Sequence, residues 1–133
     1  GEAAPVRAVP AAPPARPRWP EPGQPAPDFR AGAFRLADHA GKPVVLVFFR
    51  PGGETAEPAL AVADALQKRY AGKAVVVALA VFADAAAGVK DRDRLKLAVP
   101  VHDGAAAAGL YGVETAPRFA VIDAGGKVVW TFT

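Results

Sequence analysis

Cysteine is missing from all 133 positions of the chain. Its absence excludes disulfides, thiolate nucleophiles, thiolate metal sites and iron–sulfur clusters together. Methionine is missing as well, even at position 1, so the chain is expected to be a processed product or part of a longer protein. A secretory signal or anchor before Gly1 fits that expectation. No apolar run approaches the roughly 18 to 20 residues needed to span a bilayer, so membrane association is expected only through a tether or a partner. Sixteen basic and 13 acidic residues give a net charge of +3, spread without the blocks of about five or six like charges that mark interaction tails. Nucleic acid is therefore not an expected partner. No glycine-rich phosphate cradle of the G-x-G-x-x-G or G-x-x-x-x-G-K-[ST] type is present, and no cofactor is expected. The two histidines, His39 and His102, lack the spacing of a helical metal pair and are read as ordinary polar or capping residues.

What the chain does have is 52% hydrophobic residues, enough for one domain with a sizeable core. Nine of its 14 prolines fall in residues 1–27. Each fixes φ and biases its predecessor toward extended geometry, so residues 1–23 read as a polyproline-II-like arm. Two uses of that arm are open: a spacer, or a docking strap in which Trp19 anchors in a partner's groove.

Residues 24–133 carry periodic patterns. The runs Val44–Phe49 (VVLVFF) and 74–82 (AVVVALAVF) read as strands buried on both faces. Between them Ala59, Val62, Ala63, Leu66 and Tyr70 recur at helical spacing, with Asp64, Gln67, Lys68 and Arg69 on the other side and Gly72 as a stop. A second helix is expected over residues 84–97, its charged cluster from Lys90 to Arg94 read as a solvated face with weak ion pairs. A short strand at 99–102, a helical turn at 104–111 and a closing hairpin around Asp123-Ala124-Gly125-Gly126 complete a mixed-sheet α/β layout.

Four segments in order resemble the thioredoxin-like superfamily, specifically its redoxin branch of TlpA-like thioredoxins and peroxiredoxins. They are Gly23-Gln24-Pro25-Ala26-Pro27-Asp28-Phe29, the strand at residues 41–49, Tyr111-Gly112-Val113 with Pro117, and Phe119-Ala120-Val121-Ile122-Asp123 with Gly126-Lys127-Val128-Val129. The resemblance implies a thioredoxin-like fold with a mixed central sheet flanked by helices. It also implies a redox loop between the first long strand and its helix, facing a cis proline. That places Pro51, Gly52, Gly53, Glu54, Thr55 and Pro58 at degenerate redox-loop positions, opposite a partner-facing edge of Ala116, Pro117 and Arg118.

The chemistry of that family needs sulfur. The loop reads Pro51-Gly52-Gly53-Glu54-Thr55-Ala56-Glu57-Pro58 against the peroxiredoxin pattern P-x-x-x-T-x-x-C. Proline and threonine match, but Pro58 stands in the cysteine's place and also lacks the backbone N–H that the family uses there. Thr55 is read as a helix N-cap. Glu54 and Glu57 are read as acids favoured by the helix dipole, and Arg118 as a surface charge or a relic of the family's arginine. The expectation is a redox-inactive binding or accessory module in the cell envelope, on the periplasmic or extracytoplasmic side. It contacts a protein partner and has no cysteine for thioredoxin or peroxiredoxin chemistry, so whether it is an enzyme stays open with the balance toward binding. The alternative is a thiol-disulfide oxidoreductase or peroxiredoxin-like protein whose cysteines lie outside the chain. Because such domains usually continue into a covering helix, an apolar surface near the last strand is also expected.

Overall fold

The computed structural model describes residues 18–132, so the polyproline reading of residues 1–17 lies outside the described residues. Two short strands, β1 (Arg30–Ala31) and β2 (Phe34–Arg35), precede a 3₁₀ turn at Leu36–His39. Then follow β3 (Val44–Phe49), α1 (Ala56–Arg69), β4 (Val75–Ala80), α2 (Ala85–Arg94), β5 (Val101–Asp103), α3 (Ala105–Tyr111), β6 (Arg118–Ile122) and β7 (Val128–Phe132). The main sheet has the order β5-β4-β3-β6-β7. β3 runs parallel to β4 and antiparallel to β6, and β7 closes the antiparallel hairpin. This is the mixed α/β thioredoxin-like arrangement.

All six residues of β3 are buried, because the strand is central and both faces are covered. Alternation sorts its side chains between two cores. Val44, Leu46 and Phe48 join Phe29, Phe34 and Tyr111 on one face, while Val45, Val47 and Phe49 meet Ala56, Ala59, Leu60 and Ala63 of α1 on the other. The Tyr111 hydroxyl donates to the Pro27 carbonyl at 2.7 Å, and burial, with the Asp28 charge adding to it, pushes its pKa well up. α2 lies so close to the second face that a Cβ on Gly88 would stand 2.8 Å from Cζ of Phe49. Glycine is required there by contact.

Several sequence readings are corrected. The buried arc of α1 comprises Ala56, Ala59, Leu60, Ala63 and Asp64, leaving Val62 and Tyr70 exposed. Asp64, read as solvent-facing, is 2% exposed. Its carboxylate accepts the backbone N–H groups of Ala98 and Val99 at 2.8 and 3.1 Å and pairs with Lys68 at 2.9 Å. The chain entering β5 brings two donors into the interior, and a buried N–H without an acceptor is costly. α2 stops at Arg94 instead of running to Leu97, because Lys96 turns left-handed at φ 57°. The Leu97 N–H then closes back onto the Arg92 carbonyl, a Schellman-type end.

Residues 23–26 lie along the start of β7. Gly23 and Ala26 donate to the Val128 and Gly126 carbonyls, and Val128 donates to Gln24. Beyond that, Trp130 is 59% exposed and borders an apolar groove of about 380 Å³ with Val45, Leu66, Tyr70, Val121 and Phe132.

Candidate functional site

β3 delivers the chain to its carboxyl end, where Phe49 accepts the Val81 N–H and the backbone leaves the sheet. Residues 50–55 form the loop into α1. Gly53 donates to the Arg50 carbonyl and Ala56 to that of Gly53, each at 3.2 Å, while Gly52 adopts φ +74°, a backbone open to glycine with little strain. The Gly52 N–H points away from the loop and donates to the Asp91 carboxylate of α2 at 2.8 Å. Asp91 belongs to the charged cluster that the sequence reading assigned to solvent. Its side chain is only 17% exposed, so that reading is corrected at this residue.

Thr55 occupies the N-cap position, and its carbonyl accepts the Ala59 N–H. Its backbone is already helical, at φ −91° and ψ −5°, and its side chain makes no capping bond. The N-cap reading of the Thr55 hydroxyl is therefore corrected: side-chain caps form from extended backbone, which aims the oxygen at the following N–H groups. Pro58 is the third residue of α1, in the first turn, where no intrahelical bond needs its missing N–H. The helix starts normally, with neither a thiol nor a backbone donor at that position.

Opposite the loop, the Ala116–Pro117 peptide bond is cis. A pocket of about 370 Å³ opens between the two segments, lined by Arg50, Gly53, Glu54 and Thr55 on one side and Glu114, Thr115 and Ala116 on the other. Of the residues singled out in the sequence, this pocket brings together Gly53, Glu54, Thr55 and Ala116. Pro51 is the buried residue of the loop, Gly52 turns to α2, Pro58 lies exposed on the helix, and Pro117 and Arg118 are half-buried outside the lining. Phe82 completes the rim, 52% exposed and left-handed at φ 61°. The sequence reading ran a strand through this residue. A bulky side chain at positive φ is a backbone outlier, and no local signal in residues 74–82 marks it.

The reading of Arg118 is also corrected. The Arg118 guanidinium sits 4.9 Å over the Trp19 ring, and its Nε is buried without a hydrogen-bond partner. It is not a plain surface charge. Trp19 packs edge-on against Phe48 at 5.7 Å and tilted against Tyr111 at 6.4 Å, so in the unbound chain the last part of the arm anchors on its own domain. The register Phe48↔Arg118 explains the meeting: both residues stand at the carboxyl end of β3 and hold apolar and cationic surface that an aromatic ring covers.

No cluster of three metal-ligating side chains occurs among the described residues. His39 and His102 both stack on Phe34, at 4.9 and 6.2 Å. Burial, then the nearby Arg92 charge, holds His102 below the ordinary imidazole range.

With a central strand ending in a helix-capped loop opposite a cis proline, the decisive comparison is with family models. The redoxin model matches residues 21–133. This chain belongs to the redoxin family. Solved structures show the same fold. A candidate thiol:disulfide interchange protein, DsbE, from Chlorobium tepidum superimposes with a TM-score of 0.71 at 25% identity, covering 85% of each chain. A secreted disulfide oxidoreductase from Mycobacterium tuberculosis, homologous to E. coli DsbE, gives 0.65 at 20% identity over 78% of this redoxin and 81% of that chain. A second thiol:disulfide interchange protein from Chlorobium tepidum gives 0.68 at 22% identity over 90% and 87%. No curated protein matches this redoxin. It therefore shares its scaffold with thiol–disulfide proteins while containing no thiol.

Proposed function

We propose that this redoxin is a redox-inactive binding module whose edge, residues 50–58 with 116–118, receives a segment of a protein partner. The observation that carries the reading is the 370 Å³ pocket between the loop and the Glu114–Ala116 segment, lined by charged, hydroxyl and aromatic groups but by no group equipped for thiol chemistry. A threonine nucleophile would need a base and an oxyanion hole placed around it; Glu54 and Glu114 line the pocket, but no hydrogen bond among the described residues joins either to the Thr55 hydroxyl. Binding needs none of these. The exposed Phe82 on the rim supplies apolar area of the kind that anchors interfaces, and Arg50, Glu54 and Glu114 supply polar contacts around it.

The proline-rich residues 1–17 serve as the tether, and the module works on the extracytoplasmic side of a membrane as an accessory subunit of a membrane-associated assembly. This part rests on the arm's composition and on neighbours that include a secreted disulfide oxidoreductase. No helix among the described residues is long and apolar enough to cross a membrane; in this reading the arm or the partner supplies the attachment.

A second reading, thiol–disulfide exchange with sulfur supplied from outside the chain, is favoured by the interchange proteins among the structural neighbours. One assay separates the two. Full-length protein with a thiol reductant and a disulfide or peroxide substrate is expected to give no turnover above the uncatalysed rate. Turnover that depends on the protein would overturn the inactive reading.

A further inference from the structure

The Gly52–Asp91 contact is the only side-chain hydrogen bond among the described residues that reaches the 50–55 loop. The two residues lie 39 positions apart, at a distance of 2.8 Å. Gly52 has open space where a Cβ would stand, so its left-handed φ is a requirement of loop shape and not of crowding. The loop's other described backbone bonds, from Gly53 to Arg50, from Ala56 to Gly53 and from Ala59 to Thr55, span three or four residues and reach no element beyond the adjoining start of α1. The second carboxylate oxygen of Asp91 stands 3.9 Å from Arg94 on the same helix. α2 itself is seated by Gly88 against Phe49, the last residue before the loop. The acceptor is thus mounted on an element that packs against the root of the segment it holds.

We propose that Asp91 is the positioning residue of the binding edge: by accepting the Gly52 N–H it fixes the 50–55 loop in the shape that forms one wall of the pocket. The role is that of a fixed acceptor. A charge-assisted bond to a partly buried carboxylate is stronger than one to water, and it also occupies a loop amide that would otherwise be free to bind an anion. The consequence for function rests on the reading of this edge as a docking surface, but the positioning itself is read from the unbound chain.

The test uses the full-length protein labelled for NMR, as wild type, Asp91→Ala and Asp91→Asn. In the wild type, a scalar coupling across the hydrogen bond is expected between the Gly52 nitrogen and the Asp91 carboxyl carbon. Asp91→Ala should raise amide exchange at Gly52 and its loop neighbours by about tenfold or more, with β3 and β4 unchanged. Asp91→Asn keeps an acceptor oxygen and should restore most of the protection. Absence of the coupling in the wild type overturns the assignment even if a variant fails to fold. So does unchanged exchange in Asp91→Ala, or an equal loss in Asp91→Asn. None of these readouts involves a partner, so failure of the docking reading leaves them standing.

Discussion

Asp64 and Asp91 are helix carboxylates that each accept backbone N–H groups from a distant segment, at very different depths. Asp64, in α1, is buried and holds two amides of the chain entering β5. Asp91, in α2, is partly exposed and holds one amide of the loop leaving β3. A buried acceptor that is removed leaves its donors without water to replace it, whereas a shallow acceptor is exchanged for solvent at little cost. The first aspartate secures the scaffold and the second secures the shape of one edge. This division fits a thioredoxin-like fold that persists without cysteine: the interactions that hold the sheet are separate from those that shape the loop.

The largest effect is expected at the deep site. Asp64→Ala should lower the stability of the folded chain by about 2 to 4 kcal/mol in denaturant unfolding, since two buried donors lose their acceptor. A loss under about 1 kcal/mol would mean that water reaches the site and that the two aspartates do not differ in kind. The same carboxylate carries a pH dependence. The Lys68 side-chain hydrogen bond first, then the bond from Ala98, holds the Asp64 pKa below the usual 3.8 against the opposing effect of burial. A depressed folded-state pKa contributes stability that is fully present above 3.8 and is lost as pH falls through the lower folded value. Unfolding followed between neutral pH and acid should show that loss, and Asp64→Asn should remove this part of it.

Trp19 sharpens the contrast from a third position. It is half-buried, away from both carboxylates, and Trp19→Ala should cost about 1 to 2 kcal/mol through lost edge contacts with Phe48 and the lost stack with Arg118. The smallest global effect belongs to Asp91→Asn, which should change unfolding by less than about 0.5 kcal/mol. A larger loss would make Asp91 a scaffold residue like Asp64.

Much of this architecture is legible in the sequence, because the information is local. Six apolar residues in a row make β3 a central strand, and the spacing between β3 and β4 makes α1 a helix. The phase of α1 is not local. Ala59, Val62, Ala63, Leu66 and Tyr70 form a plausible apolar stripe, yet the helix is rotated so that Leu60 and Asp64 face inward. The reason, two amides at positions 98 and 99, lies 34 and 35 residues away. The contact of Arg118 with Trp19 is missed for the same reason, since only the β3–β6 register brings them together. At the candidate site, the loop and the proline segment are visible as motifs, while Phe82 and Asp91 are not. A left-handed backbone and a bond across 39 positions leave no mark on neighbouring residues.

The central claim, that this redoxin keeps its loop edge as a docking surface, is tested most directly by position-resolved crosslinking of the full-length protein in its native cells. A photo-crosslinking residue is placed at Thr115, which lines the pocket, and separately at Lys127, exposed in the β6–β7 turn at the opposite end of the sheet. One discrete protein adduct is expected from Thr115, weakened when Glu54 or Phe82 is replaced by Ala, and none of that size from Lys127. The same adduct at equal yield from both positions, or none from Thr115, would contradict it.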